Sequence, residues 1–255
     1  MKPGKLYGVG VGPGAPDLLT LRAVDVLRRA HVLAIPRASQ YATSLAWRIA
    51  APAVGDVAGQ ERLFFEFPMS KDPSLLRPAW ETALDAMGER LLAGRSVAFL
   101  CEGDSLVYGT FVYLLRAARV RWPEVEIEVV PGVSSISAVP AVLQVPLADG
   151  VERVAILPAT HAVDDLVPVL EQFDTTLLLK VGSVMRQAVA ALERTGLVDR
   201  ATYVSRATTA EQRIVRDVRT LRSDKCDYFS MLVVRRDERS GRLMDGDGPK
   251  DDGST

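Results

Sequence analysis

The run Val97-Ala98-Phe99-Leu100-Cys101, followed at once by Glu102-Gly103-Asp104-Ser105, constrains this chain more than any other stretch. Its first five residues are a short apolar run of strand length. The Gly-Asp-Ser cluster then makes a turn, and Phe111-Val112-Tyr113-Leu114-Leu115 opens a helical pattern. Strand, tight turn and helix in that order place the turn at the carboxyl edge of a sheet, where α/β proteins hold ligands. Gly103 has no Cβ, so its backbone can approach a ligand closely. Taken alone, the stretch reads better as an ordinary strand-to-helix turn.

The rest of the chain repeats the theme. Leu6-Tyr7-Gly8-Val9-Gly10-Val11 reads as a first buried strand, and Leu18, Leu21, Val24 and Leu27 recur at helical spacing after Asp17 and Thr20, two candidate N-caps. Gly10, Gly12 and Ala15 match a dinucleotide-binding fingerprint in form. Pro13 and Pro16 extend the loop where that fingerprint needs an immediate helix, and Pro36-Arg37 follows the second strand where a ribose-binding acid belongs. Nicotinamide cofactors are therefore disfavoured. Leu76, Trp80, Leu84, Met87 and Leu91 form one face of a long helix that Gly94 ends. Val125 to Val130 alternates as a half-exposed strand, leading into Pro131-Gly132-Val133-Ser134-Ser135 and a helix from Ile136. Further strands are expected at 151–157, 175–181, 202–206, 212–218 and 228–234. Helices are expected at 166–173 and around Met185, Ala188, Val189 and Leu192. Few helices separate the last three strands, so the second sheet should be mixed. The polar, Gly- and Asp-rich segment from Asp237 is expected to be a disordered tail.

Charge and cysteine usage narrow the function classes. Thirty-one Lys and Arg nearly cancel 32 Asp and Glu, so no basic excess invites nucleic acid. Cys101 and Cys226 lie far apart without metal-type spacing, which argues against a disulfide framework and a metal site. The basic start Met1-Lys2-Pro3-Gly4-Lys5 meets an apolar run cut by glycines and Pro13, unlike a signal peptide. No run reaches the roughly 18 apolar residues of a membrane span. A cytoplasmic protein is expected.

Four stretches in register resemble one family. Gly8 through Ala23, reading GVGVGPGAPDLLTLRA, is similar to the opening signature of the tetrapyrrole methylases. Glu102-Gly103-Asp104-Ser105-Leu106-Val107-Tyr108-Gly109 resembles their Gly-Asp-Pro loop, with Ser105 in place of the usual proline. Val130-Pro131-Gly132-Val133-Ser134-Ser135 and Leu178-Leu179-Lys180-Val181-Gly182 resemble two further family segments. Within the family, residues 36–50 and Phe67-Pro68-Met69-Ser70-Lys71-Asp72 look like segments of the precorrin-2 C20-methyltransferases. The likeness runs over roughly residues 5–235.

That resemblance implies the two-domain class III methyltransferase fold, α/β throughout, each domain a mixed sheet flanked by helices. Residues 1–145 would form the N-terminal domain, 146–236 the C-terminal domain and 237–255 the tail. It implies S-adenosylmethionine folded in a cleft between the domains, with no metal. Pro13 would line the methionine side, and Glu102, Gly103, Asp104, Val107 and Tyr108 the central loop. Ser134 and Ser135 would supply amide and hydroxyl contacts; Val181, Ala207 and Thr208 would cover the adenosine. The tetrapyrrole substrate is rich in carboxylates, so Arg37 and Lys71 are expected to meet it. The implied reaction is methylation of precorrin-2 at C20 by a homodimer. Cobalt-loaded precorrin-2 is a close alternative substrate, and uroporphyrinogen III a more distant one. A non-catalytic binder has only Ser105 in its favour. Ser105 should loosen the central turn somewhat and bond local backbone. No residue can be named from sequence as the base that takes the C20 proton.

Overall fold

The structure, a computed structural model, describes residues 2–68, 72–159, 166–221 and 226–236. It divides into two compact units, Met1–Ala138 and Val139–Thr255. Lys71 and the segment from 237 onward lie outside the described residues. No helix among the described residues is long and apolar enough to cross a membrane.

In the first unit, strands and helices alternate: β1 (Leu6–Gly10), α1 (Leu21–Arg29), β2 (Val32–Arg37), α2 (Leu45–Val54), β3 (Glu61–Glu66), α3 (Pro73–Leu92), β4 (Val97–Cys101), α4 (Phe111–Arg121) and β5 (Ile127–Val130). The sheet order is β3-β2-β4-β1-β5, and all four pairings are parallel. Helical crossovers dictate this, because each returns the chain to the same end of the sheet.

The two faces of β4 explain its continuous apolar run. Val97, Phe99 and Cys101 face a core made with Met87 and Leu91 of α3 and Phe111, Leu114 and Ala118 of α4. Ala98 and Leu100 face the opposite core, with Ala23, Val26 and Leu27 of α1 and Ile49 and Ala50 of α2. Burial in the first core pushes the Cys101 thiol up to about 12, so it behaves there as a small hydrophobe.

Local signals set most helix ends. Thr20 caps α1, its Oγ1 accepting from the Ala23 amide at 3.1 Å. The cap fixes the helix phase with Leu21 turned outward and 90% exposed, so the buried face is Ala23, Val26 and Leu27 rather than the expected row through Leu18 and Leu21. At the far end of α1 the Gln60 amide donates to the carbonyls of Leu27 and Ala30, at 2.7 and 2.8 Å. Long α3 buries Leu84, Met87 and Leu91 as the pattern predicts. It stops at Ala93, with Gly94 left-handed at φ 80° just beyond.

The second unit begins within α5 (Ser135–Leu143) and continues through β6 (Val154–Pro158), α6 (Leu166–Gln172), β7 (Thr175–Leu179), α7 (Met185–Arg194), β8 (Ala201–Ser205), β9 (Arg213–Val215) and β10 (Ser230–Arg235). Its order is β6-β7-β10-β8-β9; β6 and β7 pair in parallel and the other three pairings are antiparallel. The α/β fold of two helix-flanked sheets is the expected one, with strand mixing confined to the second sheet. Only the second unit links strands without a helix between them. Strand β9 is shorter than the expected 212–218, because Val218 turns into the core within a short 3-10 helix, Val218–Leu221.

One ion network pins the outer edge of the first sheet. On edge strand β3, Glu61 accepts from Arg90 Nη2 at 2.8 Å and from Arg95 Nη1 at 2.6 Å. Arg90 foremost, with Arg95, holds the Glu61 carboxyl below the usual carboxylate range despite partial desolvation. A depressed folded pKa stabilises fully above the unfolded value, and that stabilisation fades as pH falls through the folded one. Glu61→Gln should therefore cost about 1 kcal/mol near neutrality. Thermal melts of the two proteins should converge below about pH 4. A gap that stays constant across pH would rule out this role.

Candidate active site

Strand order alone locates a candidate site. From β1 the chain crosses to β2 on one side of the sheet, and from the neighbouring β4 it crosses to β5 on the other. Adjacent strands whose connections leave in opposite directions make a topological switch point, and ligands bind beyond the carboxyl ends of such strands. The loops there are Val11 to Thr20 after β1 and Glu102 to Thr110 after β4. The loop after β5, Pro131 to Ser134, lies beside them because β5 pairs with β1.

Backbone bonds join these loops. Gly12 N donates to Gly103 O at 3.1 Å, and Gly103 N donates to Gly12 O at 2.8 Å. This antiparallel bridge links two strands that run parallel below it. Gly103 adopts φ 64°, a left-handed conformation that costs other residues about 1–2 kcal/mol. A Cβ there would meet nothing within 4 Å, so glycine serves conformation rather than space. Gly132 is the opposite case: its Cβ would sit 2.2 Å from the Gly103 carbonyl oxygen.

Asp104 ties the third loop in. Its Oδ2 accepts from the Gly132 amide at 3.0 Å and its Oδ1 from the Leu106 amide at 2.9 Å. These are the backbone partners that a carboxylate at a sheet mouth needs, and they give Asp104 a loop-setting role. Ser105 differs from expectation. It is fully buried, and its hydroxyl donates not to local backbone but to Val130 O at the end of β5, at a long 3.4 Å. The Asp104 and Gly12–Gly103 contacts hold this loop, so the missing proline leaves it braced.

The remaining first-unit residues fall along the same edge. Pro13 is half-buried beside Gly12, Val107 is half-buried, and Glu102 is exposed at the end of β4. Tyr108 is 47% exposed with φ 50°. A bulky left-handed residue held in view of solvent is not core packing, which favours a ligand-facing role. Ser134 caps α5: its Oγ accepts from the Ile136 amide at 3.2 Å, and its carbonyl accepts from Ala138 at 3.0 Å. Ser135 is the first helical residue. Two strands away, Arg37 ends β2 with Nη2 2.9 Å from Glu66 Oε1 and its guanidinium 5.5 Å from the Phe64 ring centre. Its buried Nε has no hydrogen-bond partner among the described residues.

In the second unit, the three predicted residues gather at one edge of the second sheet. Val181 follows β7, and Ala207 and Thr208 follow β8; both strands pair with β10. The Val181 side chain is fully buried in the core and Ala207 is buried, so only their backbones can meet a ligand. Sequence reasoning missed the backbone there: Lys180, Arg206 and Thr208 are left-handed, at φ 58°, 47° and 65°. Strain of about 1–3 kcal/mol per residue persists only where surroundings fix it, and it clusters at functional sites.

Comparison with known proteins identifies the family of the chain. The family description "Tetrapyrrole (Corrin/Porphyrin) Methylases" matches residues 5–221. The chain belongs to the tetrapyrrole methylases. A cobalt-precorrin-2 C(20)-methyltransferase of Salmonella typhimurium is 32% identical, over 91% of this chain and 97% of that protein. A precorrin-2 C(20)-methyltransferase of Sinorhizobium sp is 31% identical, over 91% of this chain and 95% of the other. Among solved structures, the uroporphyrin-III C-methyl transferase of Thermus thermophilus, complexed with S-adenyl homocysteine, superposes with a TM-score of 0.63. It is 24% identical, covering 91% of this chain and 97% of that one, and it carries the fold likeness.

The two glycines should fail differently. Gly103→Ala imposes only a left-handed alanine and should cost about 1 kcal/mol. Gly132→Ala drives a methyl into a backbone carbonyl and should cost about 3 kcal/mol or more. Urea denaturation of both variants measures the difference; equal losses would mean the three loops are not packed as described.

Proposed function

We propose that this chain is an S-adenosylmethionine-dependent C-methyltransferase that converts precorrin-2 to precorrin-3A by methylation at C20, a step of cobalamin biosynthesis. The observation that carries the reading is likeness to C20-methyltransferases along nearly the whole chain. One of those relatives is named for the cobalt-loaded substrate and the other for the metal-free one, with identities of 32% and 31%. So small a difference keeps cobalt-precorrin-2 as the second reading. Uroporphyrinogen III ranks below both, because residues 36–50 and 67–72 resemble the C20 branch.

The donor supplies an electrophilic methyl group on a sulfonium. This chain's residues orient it. Pro13, Glu102, Gly103, Asp104, Val107 and Tyr108 would line its methionine half through the bridged loops after β1 and β4. Ser134 and Ser135 would add contacts from the start of α5. Val181, Ala207 and Thr208 keep the adenosine assignment, the first two through backbone groups because their side chains are buried. Such a fit suits the site: Gly103 leaves open space at its α-carbon, and Tyr108 is held exposed in a constrained conformation. Orientation of carbon, methyl and sulfur in line is worth up to about 7–11 kcal/mol. We assign Arg37, with Lys71, to the substrate's carboxylates. Arg37 stands at a carboxyl strand end with its partly exposed guanidinium on Glu66 Oε1, a partner that a substrate carboxylate could replace. A cytoplasmic homodimer is the assembly this reading carries with it.

The deciding experiment is anaerobic incubation with labelled S-adenosylmethionine and metal-free precorrin-2, followed by product mass and NMR. One methyl added, at C20, is the expected result. Turnover only with the cobalt-loaded substrate would shift the assignment to the second reading, and silence with both would defeat the proposal. In the same assay, Arg37→Ala and the double variant with Lys71→Ala should raise the tetrapyrrole KM severalfold, about 1 kcal/mol each, and leave donor affinity intact. An unchanged KM would remove both from the substrate site.

A further inference from the structure

Three loops meet at one edge of the second sheet: Lys180 to Val184 after β7, Arg206 to Gln212 after β8, and Cys226 to Phe229 before β10. One residue touches all of them. Asp227 Oδ2 accepts from Arg206 Nε at 2.6 Å, and Oδ1 accepts from the Phe229 amide at 2.8 Å. The Asp227 amide donates to the hydroxyl of buried Tyr203 at 3.3 Å. The carbonyl oxygens of Asp227 and Cys226 lie so close to Gly182 that a Cβ there would come within 2.6 Å of each.

Arg206 completes the arrangement. Its amide donates to Phe229 O at 2.9 Å, and its carbonyl accepts from Thr209 N at 3.1 Å and Thr209 Oγ1 at 2.8 Å. Its other guanidinium arm pairs with Glu211. The left-handed backbone at Arg206 thus has an anchor on each side, and Ala207 and Thr208 follow it directly. Both Arg206 and Asp227 are more than half shielded from solvent, with 35% and 24% of their side chains exposed. A planar guanidinium on a carboxylate fixes direction as well as distance.

We propose that the Arg206–Asp227 pair is a positioning device for the methyl donor. It fixes the left-handed turn that presents the backbone of Ala207 and Thr208, and seats the Asp227 carbonyl against Gly182 beside Val181. This rests on the donor assignment made above for Val181, Ala207 and Thr208. The pair acts on donor binding and not on the tetrapyrrole.

The test compares Asp227→Asn, Arg206→Met and Arg206→Lys with the parent protein. Titration calorimetry with S-adenosylhomocysteine comes first, then KM for each substrate, kcat at saturating donor, and the melting temperature. Asp227→Asn and Arg206→Met should weaken donor binding about tenfold, equivalent to about 1.4 kcal/mol. The tetrapyrrole KM and the saturated kcat should stay unchanged. Arg206→Lys, which keeps the charge but not the fork, should recover part of the loss. Unchanged donor affinity, or an equal rise in both KM values, would overturn the positioning role, whatever happens to the melting temperature. No binding to the parent protein would instead defeat the donor assignment itself, and the positioning role with it. Should Asp227→Asn fail to fold, the two Arg206 variants decide.

Discussion

Two backbone hydrogen bonds between Gly12 and Gly103 hold together the edge on which the proposed chemistry depends. Below them, β1 and β4 run side by side, and their onward connections leave in opposite directions. Loops at such a point would otherwise diverge. The bridge closes them, Asp104 adds the loop after β5, and Gly132 packs against the Gly103 carbonyl with no room for a side chain. The result is a rigid backbone surface. That is the kind of surface that can hold a donor by amide and carbonyl groups and align a methyl transfer without a covalent intermediate.

The second sheet reaches a similar end by other means. The edge proposed to meet the donor is set by left-handed Lys180, Arg206 and Thr208, where glycine would have been the easy choice. A larger residue can occupy that conformation only if its side chain or neighbours contribute more than the strain costs. Arg206 does so through Asp227. Lys180 donates its amide to Ser230 O at 2.9 Å and places its ammonium 5.6 Å from the Tyr228 ring centre. One edge is thus held mainly by close backbone packing and the other by a charged pair, and the second should respond more strongly to salt.

Features whose cause is local could be read from the sequence, and features whose cause is distant could not. The unbroken run Val97–Cys101 announces a strand, and the structure forms it with both faces covered. Gly94 and Thr20 mark helix ends because capping involves a few neighbouring residues. The motif residues from Glu102 to Tyr108 were legible as a loop of interest from the strand-turn-helix order. The destination of the Ser105 hydroxyl was not, since Val130 lies 25 residues on. Neither was the Arg206–Asp227 pair, 21 residues apart, for no turn signal marks an arginine as left-handed. Val181 shows the intermediate case. It follows β7 at the sheet edge as its motif position implies, yet its side chain belongs to the core, which only the pattern of packing shows.

The place of β1 in its sheet also sets an order of events. Leu6, near the start of the chain, stands opposite Val97 on one side and Ile127 on the other, whereas β2 and β3 pair across a single short helix. Pairings between distant segments carry a larger loop-closure cost and form slowly. During synthesis β1 therefore waits, its apolar residues unpaired, until most of the first unit has emerged. The Gly12–Gly103 bridge cannot close before then, and the Asp104 contact to Gly132 closes later still. The bridged edge is thus among the last parts of that unit to mature, an order that pulsed hydrogen exchange at the Gly12 and Gly103 amides would read directly.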